Sequence, residues 1–166
     1  MKERPIIFTN DHVEAILEGR KTQTRRVVKE RGDGFFVGSG GLTFHISSLD
    51  ADIEKVKPWL IPECPYGNPG DKLWVRERFV TENGWPRPAI YMPRAKSRAT
   101  LLVKNVRVER LNSIKGKDCI AEGVSPNEHL GVHLEYRRIW DSINKGETSW
   151  VNNPWVWVIE FELTSS

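Results

Sequence analysis

The chain has 166 residues, 39% of them hydrophobic and 28% charged, with a formal net charge of +3. That length suits one domain with a substantial core and does not comfortably hold two. So small a charge excludes a polycation that coats nucleic acid by charge alone, and no apolar run reaches the ~20 residues of a membrane-spanning helix.

Pro5 to Phe8 is a short apolar run and reads as the first strand. Asn10 to Leu17 follows as an amphipathic helix, with Val13, Ile16 and Leu17 on one stripe and Asn10 or Asp11 at its N-cap. Gly19 stands where a helix end needs a residue that tolerates positive φ. The next residues, Arg20-Lys21-Thr22-Gln23-Thr24-Arg25-Arg26, carry four positive charges, two hydroxyls and no apolar side chain. Such a segment is a poor core element and a good lining for a polar or anionic ligand, so Lys21 and Thr24 are expected at the rim of the domain. Arg26-Val27-Val28 is strand-like.

Gly32 to Gly41 holds five glycines around Phe35-Phe36-Val37 and reads as an irregular hairpin or loop. Asp50 to Val56 predicts a helical turn, and Cys64-Pro65-Tyr66-Gly67-Asn68-Pro69-Gly70-Asp71 is turn chemistry throughout. Residues 32–70 therefore resemble a loop-rich insertion into a compact domain that spans 1–166. Lys72 to Glu77 is a strand, Thr81 to Pro88 a loop and Ala89 to Met92 a short strand. Thr100 to Val108 is the longest strand of the middle region, and its broken alternation at Lys104-Asn105 predicts a bulge. Ser113 to Glu122 reads as a helix ended by Gly123. A second helix opens at Pro126, with an apolar stripe of Leu134, Ile139, Trp140 and Ile143. In Pro154 to Leu163, Trp155, Trp157, Ile159, Phe161 and Leu163 share one face of a half-buried strand. Strands placed early, middle and last, with helices between, imply α+β, with a small curled sheet that brings the first and last strands together.

Charge is unevenly distributed. Gly19 to Arg31 has six Lys/Arg against one Glu, and Arg94 to Arg110 again six against one, whereas Asp118 to Glu162 has eight Asp/Glu against three Lys/Arg. Two basic segments that converge, with an acidic flank elsewhere, suit a phosphate-bearing partner. Seven tryptophans are more than a core of this size demands, which leaves one or two to stack on a base. Cys64 and Cys119 form no disulfide framework or metal-ligand pair, and His12, His45, His129 and His133 no close-spaced metal motif. Neither metal nor cofactor is expected. With no apolar leader in Met1 to Phe8, the chain reads as cytoplasmic, with reduced thiols.

Three patches carry a family resemblance. Gly19-x-Lys21-x-x-x-x-Arg26 resembles the Gly-x-Lys-x-x-Glu-x-Arg signature of ASCH domains, relatives of the PUA-like RNA-binding barrels. Pro69-Gly70-Asp71 before Lys72-Leu73-Trp74-Val75 is similar to the turn that leads into a central barrel strand of that family. Asp118-Cys119-Ile120-Ala121-Glu122-Gly123 resembles its helix ending in Glu. The chain as a whole is similar to phage-borne ASCH proteins with a Cys-Pro-Tyr-Gly turn and a Trp-rich terminal strand. The resemblance implies a small PUA-like β-barrel with flanking helices, and a nucleoside or RNA as partner.

Thr24 stands where the commoner signature has Glu, a feature of the family's N4-acetylcytidine amidohydrolases. That resemblance implies Lys21, Thr24 and Glu122 as catalytic residues. Amide hydrolysis needs an activated nucleophile and a stabilised oxyanion. A lysine desolvated beneath a pocket is a suitable base for the Thr24 hydroxyl, and Glu122 would orient that lysine or pass a proton to the leaving amine. Arg20, Arg25 or Arg26 would hold a phosphate or polarise a carbonyl, and Trp74 or Tyr91 would provide a stacking surface. Two other functions fit the same residues: a non-catalytic module that binds RNA or a modified base, and a metal-independent ribonuclease. The ribonuclease is the weaker fit, because the nearest histidine, His12, lies on the helix before the motif.

Overall fold

A computed structural model of the chain describes residues 1–29, 35–37, 43–125 and 131–165. The chain runs through β1 (Glu3–Ile7), α1 (Asn10–Leu17), β2 (Gln23–Val27), β3 (Phe35–Val37), β4 (Thr43–His45), α2 (Ile46–Leu60), β5 (Lys72–Arg76), β6 (Phe79–Val80) and β7 (Pro86–Arg87). It continues through β8 (Thr100–Arg110), α3 (Gly116–Ala121), α4 (Val132–Ile143) and β9 (Trp155–Ser165). Five strands form one sheet in the order β1-β5-β8-β9-β2, and β3-β4 and β6-β7 are separate two-stranded hairpins. β1 and β5 are parallel; the other pairs of the large sheet are antiparallel. This is the mixed α+β architecture that the pattern of elements implies.

The two eleven-residue strands β8 and β9 are the spine of the sheet. Their register slips between Val103 and Asn105, at the position where the alternation of the sequence breaks. The alternation of β9 also sorts two layers. Trp157, Ile159 and Phe161 face a core built with Ile6, Val13, Ile16, Leu73, Val75, Leu101 and Val103, and Trp155 packs at its margin. Val156 and Val158 point the other way, into a second cluster with Leu111, Cys119, Tyr136 and Trp140. Here both faces of β9 are buried, because α3 and α4 cover the outer one. Leu163 lies beyond this layer and is exposed.

The first and last strands meet across the core rather than by pairing. β5 and β8 separate β1 from β9 in the sheet, yet the Phe8 ring, just past β1, lies 6.2 Å from that of Phe161. The free edges of β1 and β2 are joined where the Arg26 guanidinium donates to the Ile7 carbonyl.

Several local expectations are corrected. The N-cap of α1 is Thr9, whose hydroxyl accepts from the His12 backbone N–H. α2 runs for fifteen residues through Pro58, not for one turn. Pro58 sits in its last turn, where it removes one backbone donor. Ala89–Tyr91 is a 3-10 turn, and the expected loop after Thr81 contributes Pro86–Arg87 to a hairpin with Phe79–Val80. On α4 the buried residues are Tyr136 and Trp140, with Ile139 partly buried; Leu134 and Ile143 are exposed. A helix opening at Pro126 falls outside the described residues.

The end of α1 and the end of α3 are locked together, which positions the site. The Arg20 and Lys21 amides both donate to the Ala15 carbonyl, the Thr22 amide donates to that of Ala121, and Lys21 and Glu122 form an isolated antiparallel bridge. Gly123 makes this approach feasible. Its φ is +91°, and a Cβ there would lie 3.2 Å from the Lys21 Cβ and 3.4 Å from the Ala15 Cβ. Gly123→Ala is expected to lower stability by at least about 1–2 kcal/mol, the cost of a left-handed alanine, measured by urea unfolding. An unchanged midpoint would contradict this packing.

Candidate functional site

The Lys21 side chain is enclosed at the junction of α1, β2 and α3, with the residue 2% exposed. Its ammonium donates to the Glu122 backbone carbonyl at 2.7 Å and to Glu122 Oε2 at 3.0 Å. Glu122, itself 5% exposed, accepts at Oε1 from Arg25 Nη1 at 3.1 Å. Both carboxylate oxygens are therefore held by buried cations from opposite sides. Burial pulls the Lys21 ammonium below the usual lysine range, an effect that Glu122 partly offsets.

Arg25 extends the network outward. Its Nη2 donates to Glu109 Oε2 at 3.3 Å and lies 3.8 Å from Asp118 Oδ2. Arg107 completes the cluster through Glu109, Asp118 and Glu160. The expectation of an acidic flank standing apart is thus corrected: Asp118, Glu122 and Glu160 are threaded between the two basic segments and neutralise much of their charge.

Beside this network opens a cleft of about 1010 Å³, lined among others by Phe8, His12, Thr24, Arg26, Tyr66 and Glu122, with Tyr136 and Trp140 contributed by α4. The Thr24 hydroxyl makes no hydrogen bond to a described residue. Lys21 does not line the cleft, but its ammonium lies 5.7 Å from the centroid of the Phe8 ring, which does. The Arg26 guanidinium lies over the same ring at 5.0 Å. His12 stands edge-on to Phe8, with centroids 6.3 Å apart. Burial first, and then the charges of Lys21 and Arg26, push its imidazole down to about 3, so it is neutral at physiological pH. Burial also raises the phenols of Tyr66 and Tyr136, so both remain protonated donors.

The fold thus brings Lys21, Glu122 and Arg25 into direct contact and sets Thr24, Arg26 and Glu122 along one cleft. Three further residues singled out from the sequence lie elsewhere. Arg20 pairs with its neighbour Glu18 at the surface. Trp74 is buried, with the guanidiniums of Arg76 and Arg94 at 4.4 and 6.0 Å from its ring, and is not among the residues that line the cleft. Tyr91 is exposed and outside the cleft. The aromatic wall comes instead from Phe8, Tyr66, Tyr136 and Trp140. Of these, Tyr136 carried a usable signal, since it precedes Trp140 by one helical turn. Tyr66, in a turn, carried none.

The chain is therefore an α+β protein on a five-stranded sheet, with a cleft walled by aromatic and charged side chains beside the joined ends of α1 and α3. A scan against protein-family models gives no match, and neither does a search of curated proteins. Among solved structures it resembles the hypothetical protein PH0355, at 14% identity and a TM-score of 0.50, over 98% of this chain and 99% of that one. That likeness concerns the fold. Other similar structures are a DUF984-family protein from Enterococcus faecalis and an ASCH domain from Lactobacillus crispatus. The first has 13% identity and a TM-score of 0.48, the second 9% and 0.47, each over 99% of this chain and 81% of the other.

Two measurements test the electrostatics. Glu122→Gln leaves Lys21 and Arg25 without their shared carboxylate and is expected to cost about 3–5 kcal/mol in urea unfolding. His12 has a pH signature. Unfolded, its imidazole takes a proton near 6.5, and folded only near 3, so the unfolded chain binds the extra proton between them. Stability should fall as pH drops through that window. His12→Gln should therefore lose less stability than the wild type between about pH 7 and pH 4.5, and equal losses would contradict the assignment.

Proposed function

We propose that the chain recognises a modified cytosine, as a nucleoside or within RNA, in this cleft, and that it hydrolyses an acyl group from the N4 amine. The observation that carries the reading is that Thr24, whose hydroxyl has no hydrogen bond to a described residue, and Glu122 line the same cleft while Glu122 is hydrogen-bonded to Lys21. The sequence resemblance to ASCH amidohydrolases assigns chemistry to those three residues, and the aromatic wall offers faces on which a base can stack.

In this reading the neutral Lys21 amine takes the Thr24 proton, directly or through one water, and the threonine oxygen attacks the acyl carbon. The bond from that carbon to N4 breaks as the amine leaves with the proton from Lys21. Water then cleaves the threonine ester, releasing a carboxylic acid and restoring Thr24. Desolvation of Lys21 favours the neutral amine that the first step requires. Glu122 holds the lysine in place, and a tyrosine donor along the wall stabilises the oxyanion.

A non-catalytic binding role has one observation in its favour: both Glu122 oxygens already serve buried cations. Turnover of N4-acetylcytidine to cytidine and acetate, followed by chromatography, separates the two. Thr24→Val keeps the shape of the side chain and is expected to reduce turnover at least about 100-fold while the protein remains folded and binds the nucleoside. A wild-type protein that binds but does not turn over would leave the binding role alone, and wild-type turnover by Thr24→Val would remove the nucleophile assignment.

A further inference from the structure

The cations around the cleft are not equally matched. Lys21 has Glu122, and Arg25 has Glu122, Glu109 and Asp118. Arg26 has no carboxylate partner among the described residues. Its Nη2 donates to a backbone carbonyl, that of Ile7, its Nε is enclosed with no acceptor, and its Nη1 makes no hydrogen bond to a described residue. The nearby Glu122 is already held by two other cations. A largely enclosed guanidinium left in this state is costly unless an anion completes it. Burial accordingly depresses the charged form of Arg26.

The neighbouring groups do not supply the missing charge. His12 is neutral, and Asp11 and Glu122 are the acidic residues of the cleft wall. Against them stand Arg25, Arg26, Lys29, Arg78 and Lys145, of which Lys29, Arg78 and Lys145, like Arg26, have no carboxylate partner among the described residues. The cleft also matches the upper end of the ~300–1,000 Å³ usual for small-molecule sites, so a nucleoside alone does not use its full extent.

We infer that Arg26, with Lys29 and Arg78 nearby on the cleft wall, forms an anion subsite, and that the natural ligand presents a phosphate to it. The nucleobase half of that ligand rests on the function proposed above; the anion subsite does not. A phosphate oxygen takes the open Nη1 in a charge-assisted hydrogen bond, while Nη2 keeps its link to the Ile7 carbonyl.

The test is isothermal calorimetry of the full chain at low salt with ribose 5-phosphate, cytidine, cytidine 5′-monophosphate and a short single-stranded oligonucleotide lacking terminal phosphates. Ribose 5-phosphate should bind the wild type, weaken with added salt, and fail to bind Arg26→Gln. The monophosphate should bind about tenfold or more tighter than cytidine, the worth of one charge-assisted hydrogen bond, and Arg26→Gln should erase that preference. Because Arg26 also ties β2 to β1, two milder variants accompany it. Arg26→Lys should keep part of the preference, and Arg78→Gln, which leaves the Ile7 link intact, should reduce it several-fold. Tighter binding of the oligonucleotide would identify the phosphate as a backbone diester, and tighter binding of the monophosphate as a terminal ester. If ribose 5-phosphate binds through Arg26 but cytidine adds nothing, the subsite stands and the nucleobase reading falls. No binding of ribose 5-phosphate, with cytidine and its monophosphate equal, would overturn the subsite.

Discussion

The Glu122 carboxylate, gripped by Lys21 on one oxygen and Arg25 on the other, is the interaction on which the rest of the site depends. It ties the segment after α1 to the end of α3. In doing so it fixes where β2 leaves the junction and which of its side chains face the cleft. Removing three charged groups from water is expensive, and well-packed apolar residues commonly match or exceed the stability of such a cluster. Its presence at a cleft rather than in a uniformly apolar core therefore fits a role in binding or chemistry better than a role in stability. Burial works against the charged form of Lys21, an effect that its pairing with Glu122 partly offsets.

The sheet supports this junction from both sides. β9 buries aromatic and branched residues on its inner face and two valines on its outer face, so it serves as the shared wall of two apolar clusters. β2 lies against β9 at the sheet edge, where its polar side chains meet the ends of helices instead of a third apolar layer. A basic run thus occupies the one edge where the apolar layers end. Lys21 and Arg25 are balanced by acids from distant parts of the chain, Arg20 pairs with Glu18 at the surface, and Arg26 faces the cleft.

Much of this was legible in the sequence, and what was not has physical causes. The strict alternation of Trp155 to Phe161, the break at Lys104-Asn105 and the Gly19 and Gly123 helix ends are local signals, and they appear where local chemistry puts them. The segment from Arg20 to Arg26, read from its lack of apolar residues as a rim, is instead enclosed, with Lys21, Gln23, Thr24 and Arg25 all buried, because Lys21 and Arg25 pair with Glu122 about a hundred positions further on. Failures came where distant contacts decide. Trp74 offers an aromatic ring, but it is buried, with Arg76 of its own strand and the distant Arg94 against it. The acids after Asp118 looked like a separate flank until the antiparallel pairing of β8 and β9 set Glu160 beside Arg107. Tyr66 belongs to a turn with no periodicity, and only folding carries it to the cleft.

The most direct test of the account is where a ligand sits. N4-methylcytidine, which has no acyl group to lose, can be titrated into labelled protein while the methyl signals of Thr24, Val124 and Ile139 and the tryptophan indole N–H signals are followed by NMR. Saturable shifts at those methyls and at the Trp140 indole, with Trp74 and the exposed Trp85 unmoved, are the predicted result. Shifts confined to Trp85, or no saturable shift at Thr24, would place recognition elsewhere and contradict the assignment of the cleft.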